Sequence, residues 1–328
     1  VTYLKCDSKF LDYFFYCVFF CFIVLVFDGF YQYFVGENII GLKRTFRTSS
    51  FFGEEKILGS YLSRLWPLFF GISLLVIKSK NFFFFSLILI FILTEVLIFL
   101  SGDRTAFFYI NLSAIFIILF SQKLFKLRLI TLFSSIIVII AISLANPIAK
   151  QRVFDETIYQ MNLDDFISKK NTDINIEEYN TINIFTIEHT HHYISAYKMF
   201  LDNKLLGVGV KNFRNFCKDN KYKISNFSCS SHPHNTYIQI LSETGVIGFI
   251  FLSLILFIYL YYILKHFIFK LNKKYYFKDF EICILSGLAI YLWPIAPTGN
   301  FFNNWLSIIM FLNIPLLIWS LKSKKLEF

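Results

Sequence analysis

The chain has 328 residues, of which 56% are hydrophobic, 20% aromatic and 16% charged, and its formal net charge is +10. Repeated apolar runs of about 18 residues or more exclude an ordinary soluble domain and make this a membrane protein. The positive balance then calls for no nucleic acid, because lysine and arginine gather in the cytoplasmic loops of such proteins.

Eight apolar runs, at about 10–27, 57–77, 82–100, 105–120, 129–146, 238–264, 281–297 and 303–321, predict an all-α polytopic protein of about eight transmembrane helices. The charges support that count. With the N-terminus inside, the cytoplasmic tails and connections carry fifteen basic residues, among them Lys123, Lys126 and Arg128 before the fifth helix. The short outside loops carry five: Lys43, Arg44, Arg47, Lys56 and Arg104. The chain divides into helices one to five over 1–146, a long polar segment over 147–237, and helices six to eight over 238–328. The same orientation places the long segment outside, which in a Gram-negative cell is the periplasm. It reads as mostly helical, with pieces at 152–161 and 193–201, a polar stretch near 162–183, and a turn at Gly207-Val208-Gly209.

Cys6, Cys17, Cys21 and Cys283 lie in or beside helices and read as packing residues. Cys217 and Cys229 sit together in the outside segment, where they either close a small loop as a disulfide or remain two thiols.

The most informative stretch is 231–248, SHPHNTYIQILSETGVIG. In a helix starting near Asn235, the positions Asn235, Gln239 and Glu243 recur at i, i+4 and i+8 and form one polar stripe. Such side chains face lipid only at high cost, so the stripe should face protein or a wet cavity. Gly245 and Gly248 would let another helix approach closely.

Five of the six histidines, His189, His191, His192, His232 and His234, fall in the outside segment. Their spacing matches no zinc motif. His191 reads as an ordinary loop histidine. His234, at the membrane mouth beside Asn235, reads as a group that orients or deprotonates a hydroxyl. Four arginines form a second set. Arg104 lies in a tight outside turn, Arg64 inside an apolar run, Arg152 just after the fifth run, and Arg214 beyond the Gly-Val-Gly turn. Snorkelling accounts for most arginines near helix ends and is weakest for Arg64. Several arginines at one membrane surface suit a lipid-linked phosphate or pyrophosphate, which guanidinium binds bidentately.

The stretches SGDRTAFF (101–108), LLGVGVKNF (205–213) and HPHNTYIQILSETGVIG (232–248), in this order around a large outside loop, resemble the O-antigen ligase and O-antigen polymerase superfamily of bacterial membrane proteins. The resemblance covers roughly 50–328. It implies transfer of a glycan from undecaprenyl pyrophosphate to an acceptor hydroxyl on the outer face of the inner membrane, with inversion and without a metal or other cofactor. It places the family's histidine on His234, with Asn235 and Glu243 beside it and Gln239 and His232 in support. It places the pyrophosphate-holding arginines on Arg104 and, early in the loop, Arg152, with Arg64 or Arg214 assisting. Where relatives often carry a further arginine, this chain has EHTHH at 188–192, so His189 or His192 replaces it. Members usually have ten or more helices, so the resemblance also implies two to four further helices before Val1.

An acceptor of lipid A core would make the chain a ligase, which we favour. A growing lipid-linked glycan would make it a polymerase, and a protein acceptor is a third class. A transporter of lipid-linked sugar is the alternative of another kind, but intramembrane charges are few here (Asp12, Arg64, Glu95 and Glu243) and the polar residues gather at one mouth.

Overall fold

The structure, a computed structural model, describes residues 9–76, 82–123, 125–145, 151, 155–160 and 185–324. Among these the regular elements are helices: α1 (Phe10–Val35), a 3-10 turn (Ser50–Glu55), α2 (Leu58–Val76), α3 (Phe82–Leu100), α4 (Arg104–Phe120), α5 (Phe125–Ala145), α6 (Glu156–Gln160), α7 (Ile187–Asp202), α8 (Phe213–Phe216), α9 (Thr236–Leu271), α10 (Asp279–Leu292) and α11 (Asn304–Lys324). Each of the eight apolar runs coincides with a helix. Five of these, α1, α2, α5, α9 and α11, are long and apolar enough to cross a membrane. The chain reads as a multi-pass membrane protein.

Two compact units divide it. The first is Val1–Ala149, Leu260–Trp293 and Ser307–Phe328, and the second is Lys150–Tyr259 and Pro294–Leu306. In the first unit α2 is the central helix, packed by α1, α3, α4 and α10. Its small residues make this possible. A Cβ on Gly71 would meet Cys283 Cβ at 2.9 Å, and one on Gly59 would meet Ala106 Cβ at 3.2 Å.

Several boundaries differ from those the sequence predicts, each for a physical reason. Helix α1 continues past residue 27 because Asp28 and Gln32 are spent on the loop that follows. Asp28 accepts from Ile39 N at 2.9 Å and from the Ser50 hydroxyl, and Gln32 Oε1 accepts from Ser49 N and Ser50 N at 2.8 and 2.7 Å. Arg128 belongs to no solvated loop. It is fully buried in α5, donates from Nη1 to Glu95 at 2.5 Å and stacks 4.3 Å from the Trp66 ring centroid. The seventh run ends at Leu292, since Trp293 precedes Pro294 and cannot continue the helix. Residues 294–306 thus belong to the second unit.

The second unit has its own core of Ala196, Met199, Phe213, Cys217 and Tyr222. Cys217 and Cys229 are disulfide-bonded, with Cα atoms 5.1 Å apart. Helix α7 begins at Ile187 rather than near 193, because Thr186 caps it and accepts from His189 N at 3.3 Å. The polar stretch 162–183 lies outside the described residues.

Candidate functional site

Asn235 is where the site is pinned. Its Oδ1 accepts from Tyr237 N and Ile238 N at 3.0 and 3.1 Å, capping α9, and its Nδ2 donates to Pro294 O at 2.7 Å. The predicted stripe continues one and two turns further and is buried against protein. Gln239 donates from Nε2 to Glu243 Oε2 at 3.0 Å and to Asn300 Oδ1 at 2.8 Å, while its Oε1 accepts from Phe301 N at 2.9 Å. Glu243 Oε1 accepts from Phe213 N at 3.1 Å. Every donor and acceptor is matched, as burial demands.

The chain then kinks. Gly245 has φ of +66°, open to glycine and strained for other residues. A Cβ there would strike the Leu205 backbone, so the partner at this point is the 204–209 loop and not another helix. Val246 N donates to Lys204 O, and Val208 N and Gly209 N donate to Ser242 O and Glu243 O, at 2.8, 2.9 and 2.9 Å. A Cβ on Gly248 would instead meet Thr244 of the same helix. The Gly-Val-Gly turn therefore splints the point where α9 passes from polar to apolar.

His234 precedes the cap in a left-handed conformation, φ +58°, uncommon for a residue with a side chain. Thr298 N holds it there by donating to His234 O at 2.8 Å. Three other imidazoles surround its ring, with centroids at 4.0 Å (His232), 5.3 Å (His189) and 5.4 Å (His192). Thr298 O can only accept, so His232 Nε2, 3.1 Å away, carries the proton, and Nδ1 accepts from the Ser231 hydroxyl at 2.8 Å. Burial lowers the pKa of His234 from 6.5 to about 2, assisted by the neighbouring His232, His189 and His192. Burial likewise lowers His232 to about 4, and lowers His192 by less, against the pull of Glu188. His192, His232 and His234 are thus neutral at physiological pH and able to accept hydrogen bonds. Among the described residues, no group of three or more His, Cys, Asp or Glu is arranged to hold a metal ion.

His191 stands apart, with its Nδ1 2.8 Å from the Ser225 hydroxyl. Arg214 is exposed, close enough to His232 to help depress its pKa. Arg64 and Arg104 belong to the first unit. Arg64 is buried, donates to Ser60 O and Oγ at 3.1 and 2.9 Å, and lies over the Tyr109 and Tyr291 rings. Arg104 is half-buried and opens α4, behind the Asp103 cap that accepts from Ala106 N at 3.1 Å. Arg152 lies outside the described residues.

Sequence reasoning missed Pro294, Thr298 and Asn300, which reach the motif from about sixty residues away. The breaker-rich WPIAPTGN at 293–300, set in an apolar stretch, is the signal that could have found them.

A family model described as O-antigen ligase matches residues 85–253. No curated protein matches the chain, and no solved structure matches it.

Proposed function

The chain belongs to the O-antigen ligase family, and from that premise we propose that it moves a glycan from undecaprenyl pyrophosphate to a hydroxyl of the lipid A core. The reaction would take place at the periplasmic face of the bacterial inner membrane. Membership makes it a ligase- or polymerase-like glycosyltransferase at the coarse level. The choice of donor, acceptor, eight-span topology and periplasmic loop is our reading. The observation that carries the site is His234, kept neutral by burial and fixed by Thr298 beside the Asn235 cap.

In this mechanism the acceptor oxygen attacks the anomeric carbon from the face opposite the pyrophosphate, so the configuration inverts. The bond from that carbon to the pyrophosphate oxygen breaks with its electron pair, and the acceptor proton passes to His234 and on to solvent. So weakly basic an imidazole accepts late, once the new carbon–oxygen bond has made the hydroxyl acidic. Its main contribution is orientation. Asn235, Gln239, Glu243 and His232 hold His234 in place, with His189 and His192 as its neighbours. Arg104, with Arg152, Arg64 and Arg214, carries the charge on the departing pyrophosphate.

Transfer in reconstituted membranes tests this. With undecaprenyl pyrophosphate-linked glycan and lipid A core, His234→Ala should reduce the rate by about 10²–10⁴-fold and Arg104→Ala by about 10²–10³-fold. Full activity in both variants would sink the mechanism. A ladder of lengthening lipid-linked glycan without core would make the enzyme a polymerase. Donor that changes leaflet without reacting would make it a transporter.

A further inference from the structure

Helix α7 has two apolar faces, and only one is used. Ala196 and Met199 enter the core of the second unit, with His192 on the same side. On the opposite side Ile187, Ile194 and Leu201, at exact seven-residue spacing, form an exposed stripe with Tyr197 beside them. Beyond the helix end lie Leu205 and Leu206, which are 68% and 72% exposed. These two leucines sit on the loop that pairs with Val246 and Ile247 at the kink of α9. Immediately after that kink, α9 carries the exposed Ile250, Phe251, Leu254 and Ile255 of a membrane-length apolar run. Exposed apolar residues thus mark both ends of this path, α7 and a membrane-length helix, with the exposed Asp202, Asn203 and Lys204 between Leu201 and Leu205.

We propose that α7 lies flat in the headgroup layer of an anionic bilayer, its Ile187–Ile194–Leu201 face in the acyl boundary. Three observations select lipid. The loop that follows α7 pairs with the start of a membrane-length apolar helix. Lys204 and Lys211, both exposed, flank its end with charge that matches anionic headgroups. And the stripe persists along the whole helix, whereas an upright helix would lift Ile187 about 21 Å above Leu201 and need no apolar face there. The consequence is a height for the site. His192 is on the far side of α7, so the histidine cluster stands about one helix diameter, ~10 Å, above the acyl boundary, the level of a lipid-linked pyrophosphate. That last step rests on the proposed function; the docking itself does not.

The test is depth, measured without any transfer assay. Single cysteines replace Ile187, Glu188, Ile194 and Leu201 in turn, in a chain whose Cys6, Cys17, Cys21 and Cys283 are changed to alanine and whose disulfide is intact. Each is spin-labelled and reconstituted in vesicles of phosphatidylethanolamine and phosphatidylglycerol. Collision rates with oxygen and with a water-soluble nickel chelate are then compared. The expected result is an oxygen-to-nickel ratio several-fold higher at 187, 194 and 201 than at 188, with the three labels at equal depth. Nickel access at 194 equal to that at 188 would place the face in water and overturn the proposal. So would shielding from both reagents, which means a protein partner or a second copy, or a steep gradient from 201 to 187, which means an upright helix. If depth is as expected but no glycan is transferred, the docking stands and the proposed reaction falls.

Discussion

Glu95 and Glu243 are both buried carboxylates in apolar helices, and they are held in different ways. Glu95 faces a cation. Arg128 donates to Oε1 and the Ser135 hydroxyl to Oε2, each at 2.5 Å, yet Arg128 Nε and Nη2 find no hydrogen-bond partner among the described residues. Glu243 faces uncharged donors, the amide of Gln239 and the backbone of Phe213, in a network where all the groups are matched. An ion pair in an apolar layer must offset the desolvation of both charges, and the unmatched Arg128 nitrogens leave it little margin. A carboxylate held by neutral donors needs every one of them in place, and that requirement fixes geometry. The pair ties helices of the bundle together; the network fixes the support under His234.

Of the two substitution tests, breaking the pair should have the larger effect. Glu95→Ala leaves a buried guanidinium without its counter-charge and should cost about 3–5 kcal/mol, whereas Glu95→Met with Arg128→Met should be close to neutral. Thermal unfolding in detergent reads both, and a cost under about 1 kcal/mol for Glu95→Ala would mean that the charge is not truly buried.

Glu243→Gln is the sharper probe, because it keeps shape while turning one accepting oxygen into a donor and removing the charge. Its new amide would meet the Gln239 amide, and Gln239 cannot turn round without losing Asn300 and Phe301. A loss of about 1–3 kcal/mol is expected, with Phe213 N losing protection in hydrogen exchange. Unchanged stability would show that the site adapts and that double acceptance at residue 243 is unnecessary.

The pH dependence probes the histidines themselves, with no substitution in the native protein. His232 and His234 have folded pKa values below the unfolded value of 6.5, so the unfolded chain binds more protons in that window. Stability should hold above pH 6.5 and fall as pH drops from 6.5 towards 4, with no matching loss in His232→Gln combined with His234→Gln. A stability curve flat over that interval in the native protein would mean that the imidazoles are not desolvated.

How much of this could be read from the chain depends on the distance over which the information is written. The stripe at Asn235, Gln239 and Glu243 was legible because four-residue spacing in an apolar context has few other meanings. The runs were legible as helices for the same reason. Arg128 was read as a loop charge, since nothing near it in sequence announces that Glu95, thirty-three residues earlier, will receive it. The four-histidine cluster was half legible. His232 and His234 were singled out together, but their meeting with His189 and His192 depends on a helix start hidden in a polar stretch. The acceptors at Pro294, Thr298 and Asn300 were hidden by the apolar residues around them. Local pattern reports faces; partners across the fold are set by packing.

The hydrogen bond from Gln239 to Asn300 joins residues 61 positions apart, and this separation has a meaning in time. A ribosome adding about 5–20 residues per second leaves roughly 3 to 12 s between synthesis of the histidine motif and of the segment that completes it. Cys217 and Cys229, only 12 apart, are both made before that interval begins and can be joined within it. In order of synthesis, then, the residues of the covalent clasp come first and the hydrogen-bonded floor last. A chain stopped at Trp293 would possess every histidine and arginine of the site and still lack the surface on which His234 rests.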